Sequence, residues 1–262
     1  MPTVTALVMT KNEKEMLPLC LKRLAWADEM LVVDSGSDDG TPELAREAGA
    51  RVLHHEFEGF AEQTNWGLSQ ATGDWVVQID ADELMSARLR DSILSVVASN
   101  PPEDIFALKR DSYVFGYRMK ASSWSGEWVP RLFRKGNVTF TGKVHQDPQV
   151  GGRLVGRLEG VLVHYTYRST AKYFEKFDLY STLWAQKAWG QGRRTGIGWA
   201  FVSSVWRVFH NYFLRGEMFD GRMGVALSLL AGAHTFIRHM KLWGMQNAEK
   251  FARTHEKDVD NA

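Results

Sequence analysis

Short apolar runs alternate with stretches of helical periodicity over the first hundred residues of the chain. The runs are rich in β-branched and apolar side chains, which predicts strands at 4–9, 30–34, 51–54 and 75–79. Apolar spacing and end signals predict helices over 13–24, 41–49, 60–71 and 86–100. Because crossovers between parallel strands are right-handed, this order predicts a doubly wound, mostly parallel α/β sheet.

Local signals define some helix ends. Pro18 fits poorly inside the first predicted helix, so we expect that helix either to start late or to kink there. Thr41 is expected to cap the second helix, with Pro42 at its first position. Ser86 is expected to cap the fourth helix.

The remaining chain has a different pattern. Short β-like pieces are expected at 105–109, 129–133, 138–140 and 161–165, and helices at 173–189, 199–213 and 225–240. A glycine-rich basic link separates the first two helices, and residues 254–262 form a polar tail that we expect to be frayed. The expected domains are an α/β domain over 1–168 and an aromatic-rich helical region over 169–262.

Acidic side chains end two of the predicted strands. Asp34 follows the second strand, and Asp80, Asp82 and Glu83 follow the fourth. Such strand ends meet at the edge of an open α/β sheet where ligands bind. Two acids flanking one small residue can hold Mg²⁺ or Mn²⁺ together with substrate phosphates. The alternative is a solvated acidic turn.

Five ordered blocks resemble the family 2 glycosyltransferases of GT-A fold. They are VMTKNE at 8–13, VVDSGSDDGT at 32–41, IDADE at 79–83, WADE at 26–29 and HYTY at 164–167. The last two resemble the branch of lipopolysaccharide-core β-glucosyltransferases. The resemblance implies inverting transfer of a sugar from a nucleotide-diphosphate donor, expected to be a UDP-hexose. The acceptor would be a glycan, expected to be lipid-linked like lipopolysaccharide core.

The resemblance also implies roles for the donor half, residues 1–100. Asp34 would contact the uracil or ribose, and Thr10, Asn12 and Glu13 would line the same pocket; the role of Gly36 stays open. Asn12 could equally brace a turn, as could Asp38 and Asp39.

The metal and its ligands follow from the same likeness. Asp80 would lie against the ribose or donor sugar, and Asp82 would bind the Mg²⁺ or Mn²⁺ that bridges the diphosphate. His145 is a further candidate for the metal or phosphate, although a lone histidine is more often structural.

The acceptor half, residues 101–168, must supply a base that deprotonates the acceptor hydroxyl. Glu127 is one candidate, because Trp124 and Trp128 beside it could desolvate it and raise its pKa. Asp147 is the other, since position 146 is a glutamine where similar proteins often carry an acid. An exposed surface glutamate is the alternative for Glu127.

Two arginines near the predicted base are candidates for anion binding. Arg131 and Arg134 could contact a phosphate or an anionic acceptor, because guanidinium groups bind such anions in bidentate fashion. The alternative is a basic face of a strand.

The net charge of +1 hides an asymmetry. Residues 1–100 carry 8 Lys and Arg against 17 Asp and Glu, whereas residues 101–262 carry 24 against 14. Basic, aromatic and apolar residues interleave over 184–245, which indicates contact with an anionic membrane surface; packing onto the catalytic domain or a second subunit is the alternative. Nucleic acid is not an expected partner.

The expected location is the cytoplasm, at the inner face of the cytoplasmic membrane. A single cysteine, Cys20, excludes an intrachain disulfide framework and fits a reducing compartment, and we expect it to be buried in a helix. No signal peptide is visible, and no apolar run reaches the length of a membrane span.

Two other function classes stay open at this point. A phosphohydrolase with an Asp-x-Asp nucleophile pair would place its acids after the first strand, whereas Asp80 follows the fourth. A degenerate, non-catalytic protein that binds sugar nucleotides or membranes is the other alternative.

Overall fold

The computed structural model describes residues 1–120, 124–141, 147–148 and 155–260, with the backbone alone for 147–148 and 249–260. The chain forms two compact units, one of residues 1–112 and 126–166 and the other of residues 113–125 and 167–262. Each unit has its own buried residues, and each is described separately below.

The elements follow one another in this order. The first five strands and their helices are β1 (Val4–Thr10), α1 (Leu17–Leu24), β2 (Glu29–Asp34), α2 (Thr41–Glu47), β3 (Arg51–His54), α3 (Phe60–Gln70), β4 (Trp75–Asp80), β5 (Glu83–Met85) and α4 (Ala87–Ser99). The later strands are β6 (Ile105–Val114), β7 (Tyr117–Arg118), β8 (Ser125–Arg134), β9 (Phe140–Thr141), β10 (Asp147–Pro148), β11 (Val155–Arg157) and β12 (Leu162–Tyr167). The helical end comprises α5 (Thr170–Gly190), α6 (Ile197–Phe209), a π-helical turn (His210–Leu214), a 3-10 turn (Glu217–Asp220) and α7 (Gly221–Asp260).

The main sheet has the strand order β3-β2-β1-β4-β8-β6-β12-β5. Strands β3, β2, β1 and β4 are parallel to one another, whereas β8 is antiparallel to β4 and β5 is antiparallel to β12. The predicted α/β, mostly parallel, doubly wound sheet is confirmed, as is the helical region that follows it. In the register, Thr10 lies opposite Asp34 and Met9 lies opposite Asp80, so β1, β2 and β4 end at one edge.

Apolar side chains alternate between the two faces of the central strands, as the two-residue period of a strand requires. Ala6, Val8 and Ile79 face one core cluster, which α1 and α4 cover, whereas Leu7 and Val33 face another. Full burial of a Val, Leu or Ile side chain contributes about 1.5–3 kcal/mol, so these two faces supply much of the stability of the first unit.

A glycine lets α3 approach the second face closely. A Cβ atom on Gly67 would lie 2.8 Å from the Met9 methyl and 3.0 Å from Leu7 Cδ1. Both atoms are the ends of flexible side chains, so a larger residue here would displace these ends from their present positions. Glycine therefore leaves room for the Leu7 and Met9 side chains between α3 and β1.

Most of the helix-end predictions agree with the structure. α1 begins at Leu17, which puts Pro18 in its first turn, so the late start is correct and there is no kink. Ser86 Oγ accepts a hydrogen bond from Leu89 N, which confirms the predicted cap. Cys20 is buried in α1, as expected.

Several predicted boundaries differ from those of the structure. The N-cap of α2 is Gly40, with φ +89°, and Thr41 is the first helical residue because its hydroxyl is engaged in the preceding turn. β6 and β8 are ten residues long, twice the predicted length, because they pair within the sheet beyond their apolar cores. α7 continues to Asp260, past the start of the predicted polar tail at position 254.

The second unit is built on the helices α5, α6 and α7. Ser204 Oγ of α6 donates to the carbonyl of Gly232 in α7 at 2.8 Å, and Val208 packs against the same glycine. Lys241 of α7 pairs with Asp178 of α5 at 2.6 Å. Small residues at these crossings allow close helix packing.

Two acids are fully buried in this unit. Glu217 accepts hydrogen bonds from the indole N–H of Trp124 at 3.1 Å and from the hydroxyl of Ser228. Asp220 accepts from the backbone N–H of Lys120 at 2.6 Å. Because a buried carboxylate must be hydrogen-bonded, these contacts bind residues 113–125 to the helical elements.

Candidate active site

The loops after β1 and β2 are joined at the edge where both strands end. Asn12 has φ +54°, in the left-handed region that asparagine tolerates better than most residues. Its backbone N–H donates to Ser37 Oγ at 2.8 Å, and its side-chain oxygen accepts from Asp38 N at 3.0 Å. These two hydrogen bonds join the loop after β1 to the loop after β2, so Asn12 braces a turn, which was the alternative for this residue.

Asp34 forms the inner wall of the second loop. Its side chain is buried and accepts hydrogen bonds from Gly36 N at 3.0 Å and Ser37 N at 2.9 Å. Ser37 Oγ donates to the other carboxylate oxygen, and His54 Nδ1 lies 3.9 Å from Asp34. Gly36 has φ +84°, so it provides the turn that brings these backbone donors to Asp34.

A second set of contacts anchors the same loops. Glu13 N donates to Thr41 Oγ1 at 3.0 Å, and Asp39 accepts from Lys14 N at 3.2 Å and Thr41 N at 3.0 Å. Asp39 therefore braces the two loops, which was the alternative for this residue. Glu13 lies at the mouth of the same edge.

Thr10 has an unsatisfied hydroxyl at this edge. The residue ends β1 and is buried, and its Oγ1 has no hydrogen-bond partner within the part of the chain that the structure describes. A buried hydroxyl without a partner costs about 1–3 kcal/mol relative to a bonded one. A polar ligand atom at the edge of the sheet would remove that cost.

Asp80 ends β4 and Glu83 begins β5, and both acids contact Arg131. Asp80 accepts from Arg131 Nη2 at 2.7 Å. Glu83 is fully buried; it accepts from Asp80 N at 2.9 Å and lies 3.4 Å from Arg131 Nη2 and 3.6 Å from Arg110 Nη1. Glu83 thus folds the chain back after Asp80 and binds two arginines beneath the acidic turn.

The charges of this cluster shift one another's titration. Burial raises the pKa of Glu83, and the neighbouring Asp80 raises it further, while Arg131 opposes both. Burial lowers the pKa of Arg131, but the charges of Asp80 and Glu83 outweigh it and raise that pKa above its ordinary value. Arg131 is therefore a permanent cation that compensates these two acids.

Asp82 lies beside a histidine from a distant strand. His164 Nε2, in β12, lies 3.5 Å from Asp82 Oδ1, and Tyr165 N donates to the backbone carbonyl of Asp82 at 3.0 Å. The other ring nitrogen of His164 lies 3.0 Å from Thr166 Oγ1, which orients the ring. Burial lowers the pKa of His164, but the hydrogen bond and charge of Asp82 raise it more.

The side chains around Asp82 provide only part of the ligand set that a divalent cation needs. Within the described ranges, no cluster of three His, Cys, Asp or Glu side chains could hold a metal. Asp82 supplies a carboxylate, of which Mg²⁺ commonly uses one or two together with substrate phosphates, and His164 supplies an imidazole, a ligand that suits transition metals. The pair therefore fits a cation that a diphosphate also ligates. His145 lies outside the described residues.

The structure describes the side chain of Glu127, one candidate for the base, but only the backbone of Asp147, the other. Glu127 Oε2 accepts from Arg110 Nη2 at 2.5 Å, and 54% of its side chain is exposed. The predicted desolvation of Glu127 is therefore wrong. Asp147 lies in β10, opposite Thr141 of β9, and its side chain is outside the described part.

The two tryptophans near the base candidate have other partners. Trp124 donates to Glu217, and Arg157 lies over the ring of Trp128 at 4.8 Å. Successive residues of a strand point to opposite faces, so Trp128 and Glu127 are directed away from each other.

Arg131 and Arg134, the two candidates for anion binding, both pair with acids of the protein. Arg131 is engaged by Asp80 and Glu83. Arg134 binds Asp104 at 2.8 Å, stacks over Trp75 and lies opposite that residue, at the start of β4 rather than at its acidic end. Strand length separates it from Asp80 by about 16 Å, at ~3.3 Å per residue.

The WADE block is also remote from the acidic edge. Asp28 accepts from Val4 N at 2.8 Å, and Glu29 accepts from Thr5 Oγ1 at 2.6 Å and from Thr72 N at 2.8 Å. These contacts connect the starts of β1 and β2. The block is therefore a structural feature of the opposite edge of the sheet.

Sequence reasoning missed three residues of the acidic cluster. His164, Arg110 and Glu83 were not assigned roles, although His164 stands in the HYTY block and Glu83 in the IDADE block. The resemblance of these two blocks to known enzymes was the available signal for His164 and Glu83. Its chemistry emerges only from the pairing of β12 with β5, where His164 lies opposite Glu83.

Comparison with known proteins gives a consistent set of relatives. The model of glycosyl transferase family 2 matches residues 5–154. The lipopolysaccharide core biosynthesis glycosyltransferase LpsC of Rhizobium meliloti is 26% identical, over 99% of this chain and 97% of that protein. An uncharacterized glycosyltransferase of Rickettsia typhi, RT0209, is 26% identical over 92% and 87%. A crystal structure of a mycobacterial protein aligns with a TM-score of 0.50 at 17% identity, covering 65% and 69%, a likeness of fold alone.

Proposed function

Because the chain belongs to glycosyl transferase family 2 and has the GT-A fold, we propose that it transfers a hexose, with inversion, from a UDP-sugar to a glycan. The family makes it a glycosyltransferase; the donor, the stereochemistry and the acceptor are the proposal. The observation that carries it is the contact between Asp82 and His164 just past the end of β4, on the edge of the sheet where β1 and β2, with Asp34, also end.

The nucleoside binds at the joined loops. Asp34 and the turn at Gly36 and Ser37 form a rigid wall, and Thr10 offers its unsatisfied hydroxyl. Asn12 and Glu13 complete the mouth of this pocket. Since these loops are already held by hydrogen bonds, little conformational entropy is lost when the nucleotide binds.

The diphosphate binds at the end of β4. Asp82 and His164 would hold Mg²⁺ or Mn²⁺, which when bound stabilises the negative charge of the departing UDP. Arg131 neutralises Asp80 and Glu83, so the acidic turn presents Asp82 without the full repulsion of three carboxylates. Asp80 is thereby positioned toward the donor sugar.

The acceptor hydroxyl must lose a proton as it attacks the anomeric carbon. Glu127 and Asp147 remain the two proposals for the base. The guanidinium of Arg110 fixes the position of Glu127 and connects it to Glu83 of the acidic cluster. The contact with Arg110 therefore holds the Glu127 carboxylate in one position, which a general base requires.

The acceptor is proposed to be a lipid-linked glycan of the lipopolysaccharide-core type. The support is the full-length similarity to LpsC, a lipopolysaccharide core biosynthesis glycosyltransferase. The enzyme would then work in the cytoplasm, at the inner face of the cytoplasmic membrane, where such an acceptor presents its sugars.

A donor-panel assay tests the proposal. Purified enzyme is given radiolabelled UDP-hexoses and an extract of truncated lipopolysaccharide core, and transfer into the lipid fraction is measured. We expect transfer from one UDP-hexose, and loss of transfer in Asp82→Ala with the fold retained. Glu159→Gln, which changes an exposed carboxylate paired with Arg88, is the matched control and should keep full activity. Absence of transfer from every UDP-hexose would contradict the proposed donor.

A further inference from the structure

α6 has its apolar side turned outward. Every exposed residue of this helix is apolar or a glycine, namely Ile197, Gly198, Trp199, Phe201, Val202, Val205, Trp206 and Phe209. The covered side, against α7, carries Ala200 and Ser204 instead. A surface helix of a water-soluble protein has the reverse arrangement, with its polar side toward the solvent.

The outward face is large and continues past the helix. Phe213 in the π-helical turn is 52% exposed, and Phe219 beyond it is 68% exposed. With about 200 Å² for a complete aromatic side chain, the five exposed aromatic residues from Trp199 to Phe213 leave roughly 550 Å² of apolar surface. The largest apolar patch on a typical monomer is about 300–600 Å², so the valines beside these residues take this face beyond that range.

Charge distinguishes the surroundings of this face. Residues 184–245 contain eight Lys and Arg and two acids, Glu217 and Asp220. Both acids are only 1% exposed, because they are used inside the second unit. The cations at the surface are Lys187, Arg193, Arg194, Arg215 and Arg222. The accessible charge of this stretch is therefore entirely positive.

The position of the cations along the chain matches the apolar face. Arg193 and Arg194 come directly before α6, and Arg215 comes directly after the π-helical turn. A second copy of the chain fits poorly as the occupant, because a two-fold contact places each patch on itself and would bring these arginines against one another. An anionic bilayer accepts both the aromatic side chains and the cations.

The structure also limits how the chain can meet a bilayer. Among the residues it describes, no helix is long and apolar enough to cross a membrane. Trp and Phe side chains with neighbouring Arg are instead typical of helices that lie within the interface of one leaflet.

We propose that α6 and the π-helical turn form a membrane-docking surface for an anionic lipid bilayer. Trp199, Trp206 and Phe213 insert among the lipid headgroups, and Arg193 and Arg194 contact lipid phosphates. This surface would hold the protein at the membrane location proposed above. It does not depend on the transfer reaction, because it rests on the exposure and charge of the second unit.

Flotation of the full chain with lipid vesicles tests the surface. Vesicles of phosphatidylethanolamine and phosphatidylglycerol are compared with vesicles of phosphatidylcholine, at low and high salt. We expect flotation with the anionic vesicles at low salt, and much less with the neutral ones or at high salt. Arg193→Gln with Arg194→Gln should lower the partition coefficient by about tenfold or more.

The apolar part is tested by a matched pair of variants. Phe201→Ser with Trp206→Ser should abolish flotation, whereas Phe57→Ser, which removes a 48% exposed aromatic residue from the first unit, should leave it unchanged. Because Phe201 and Trp206 are more than half exposed, the variant should keep its fold, which circular dichroism checks.

Three results would overturn the proposal. One is the absence of flotation with anionic vesicles, and another is equal flotation with both kinds of vesicle. The third is a lipid-free dimer that Phe201→Ser with Trp206→Ser converts to a monomer, since the occupant would then be a second copy. The vesicle assay contains no donor and no metal, so its failure is separate from a failure of the proposed transfer.

Discussion

Glu29 provides a direct test of how the sheet is held together away from the acidic edge. Its carboxylate accepts hydrogen bonds from Thr5 Oγ1, from Thr72 N and Oγ1, and from Arg51, and 13% of the side chain is exposed. Burial raises the pKa of Glu29, but these hydrogen bonds outweigh it and lower the pKa from 4.5 to about 2. The charged form is therefore bound more strongly in the folded state than in the unfolded state.

The size of the effect follows from that difference. At 1.36 kcal/mol per pKa unit, a fall from 4.5 to about 2 corresponds to at most about 3 kcal/mol of folding stability, reduced where solvent screens the exposed contact with Arg51. Because the folded-state pKa is the lower one, this stability is fully present above pH 4.5 and is lost as the pH falls toward 2. Glu29→Gln removes the charge but keeps a hydrogen-bond acceptor, so we expect a loss of about 2–3 kcal/mol at pH 7.

Urea unfolding at a series of pH values measures this loss. The difference between the wild type and Glu29→Gln should be constant from pH 7 to about pH 5.5 and should narrow below pH 4.5. Glu159→Gln is the control, because Glu159 pairs with Arg88 at 2.8 Å while 73% of its side chain is exposed. Its effect should be below about 0.5 kcal/mol. A Glu29→Gln difference that is equally small, or that does not narrow in acid, would refute the reasoning.

Three further changes probe the site and the core. Glu127→Gln should lower the transfer rate about a hundredfold or more with little change in UDP affinity; normal turnover would remove Glu127 as the base. Arg131→Met leaves the buried Glu83 without its main cation and should destabilise the protein by about 3–5 kcal/mol in urea unfolding, and a neutral result would show that the pair is not needed. Gly67→Ala brings a methyl group against the ends of the Leu7 and Met9 side chains and should cost about 1–2 kcal/mol, because ~1 kcal/mol gained in helix propensity offsets part of the overpacking; unchanged stability would mean that these side-chain ends move aside without cost.

Local sequence patterns were enough to predict the donor half of the fold. The two-residue and 3.6-residue periods, together with Ser86 and Pro18, indicate where most of these strands and helices lie. Parallel order then brings Asp34 and Asp80 to one edge, because consecutive strands of this kind end on the same side. That edge was therefore predictable without a structure.

Contacts between distant parts of the chain could not be predicted in the same way. His164 reaches Asp82 only because β12 pairs with β5, and Arg131 reaches Asp80 only because β8 lies antiparallel beside β4. Neither pairing leaves a trace in local periodicity, since both depend on which strands meet across many residues. Charge type alone therefore suggested a phosphate contact for Arg131, whereas the structure uses its charge internally.

The outward apolar face of α6 could be predicted only in part. Its aromatic content is visible in the sequence, but periodicity does not say which side of a helix faces the core. Here the small and polar side, with Ala200 and Ser204, packs against α7, because close contact between helices favours small residues. The burial of Glu217 and Asp220 is equally invisible to a count of charges.

The central claim is that Asp82 and His164 bind a divalent cation together with the diphosphate of the donor. Isothermal titration of UDP, with and without Mn²⁺, measures this most directly in the wild type, Asp82→Asn, His164→Gln and the Glu159→Gln control. We expect Mn²⁺ to tighten UDP binding in the wild type and the control, and to have little effect in either site variant. UDP binding that is independent of Mn²⁺ in the wild type, or equally tightened by Mn²⁺ in both site variants, would contradict the account.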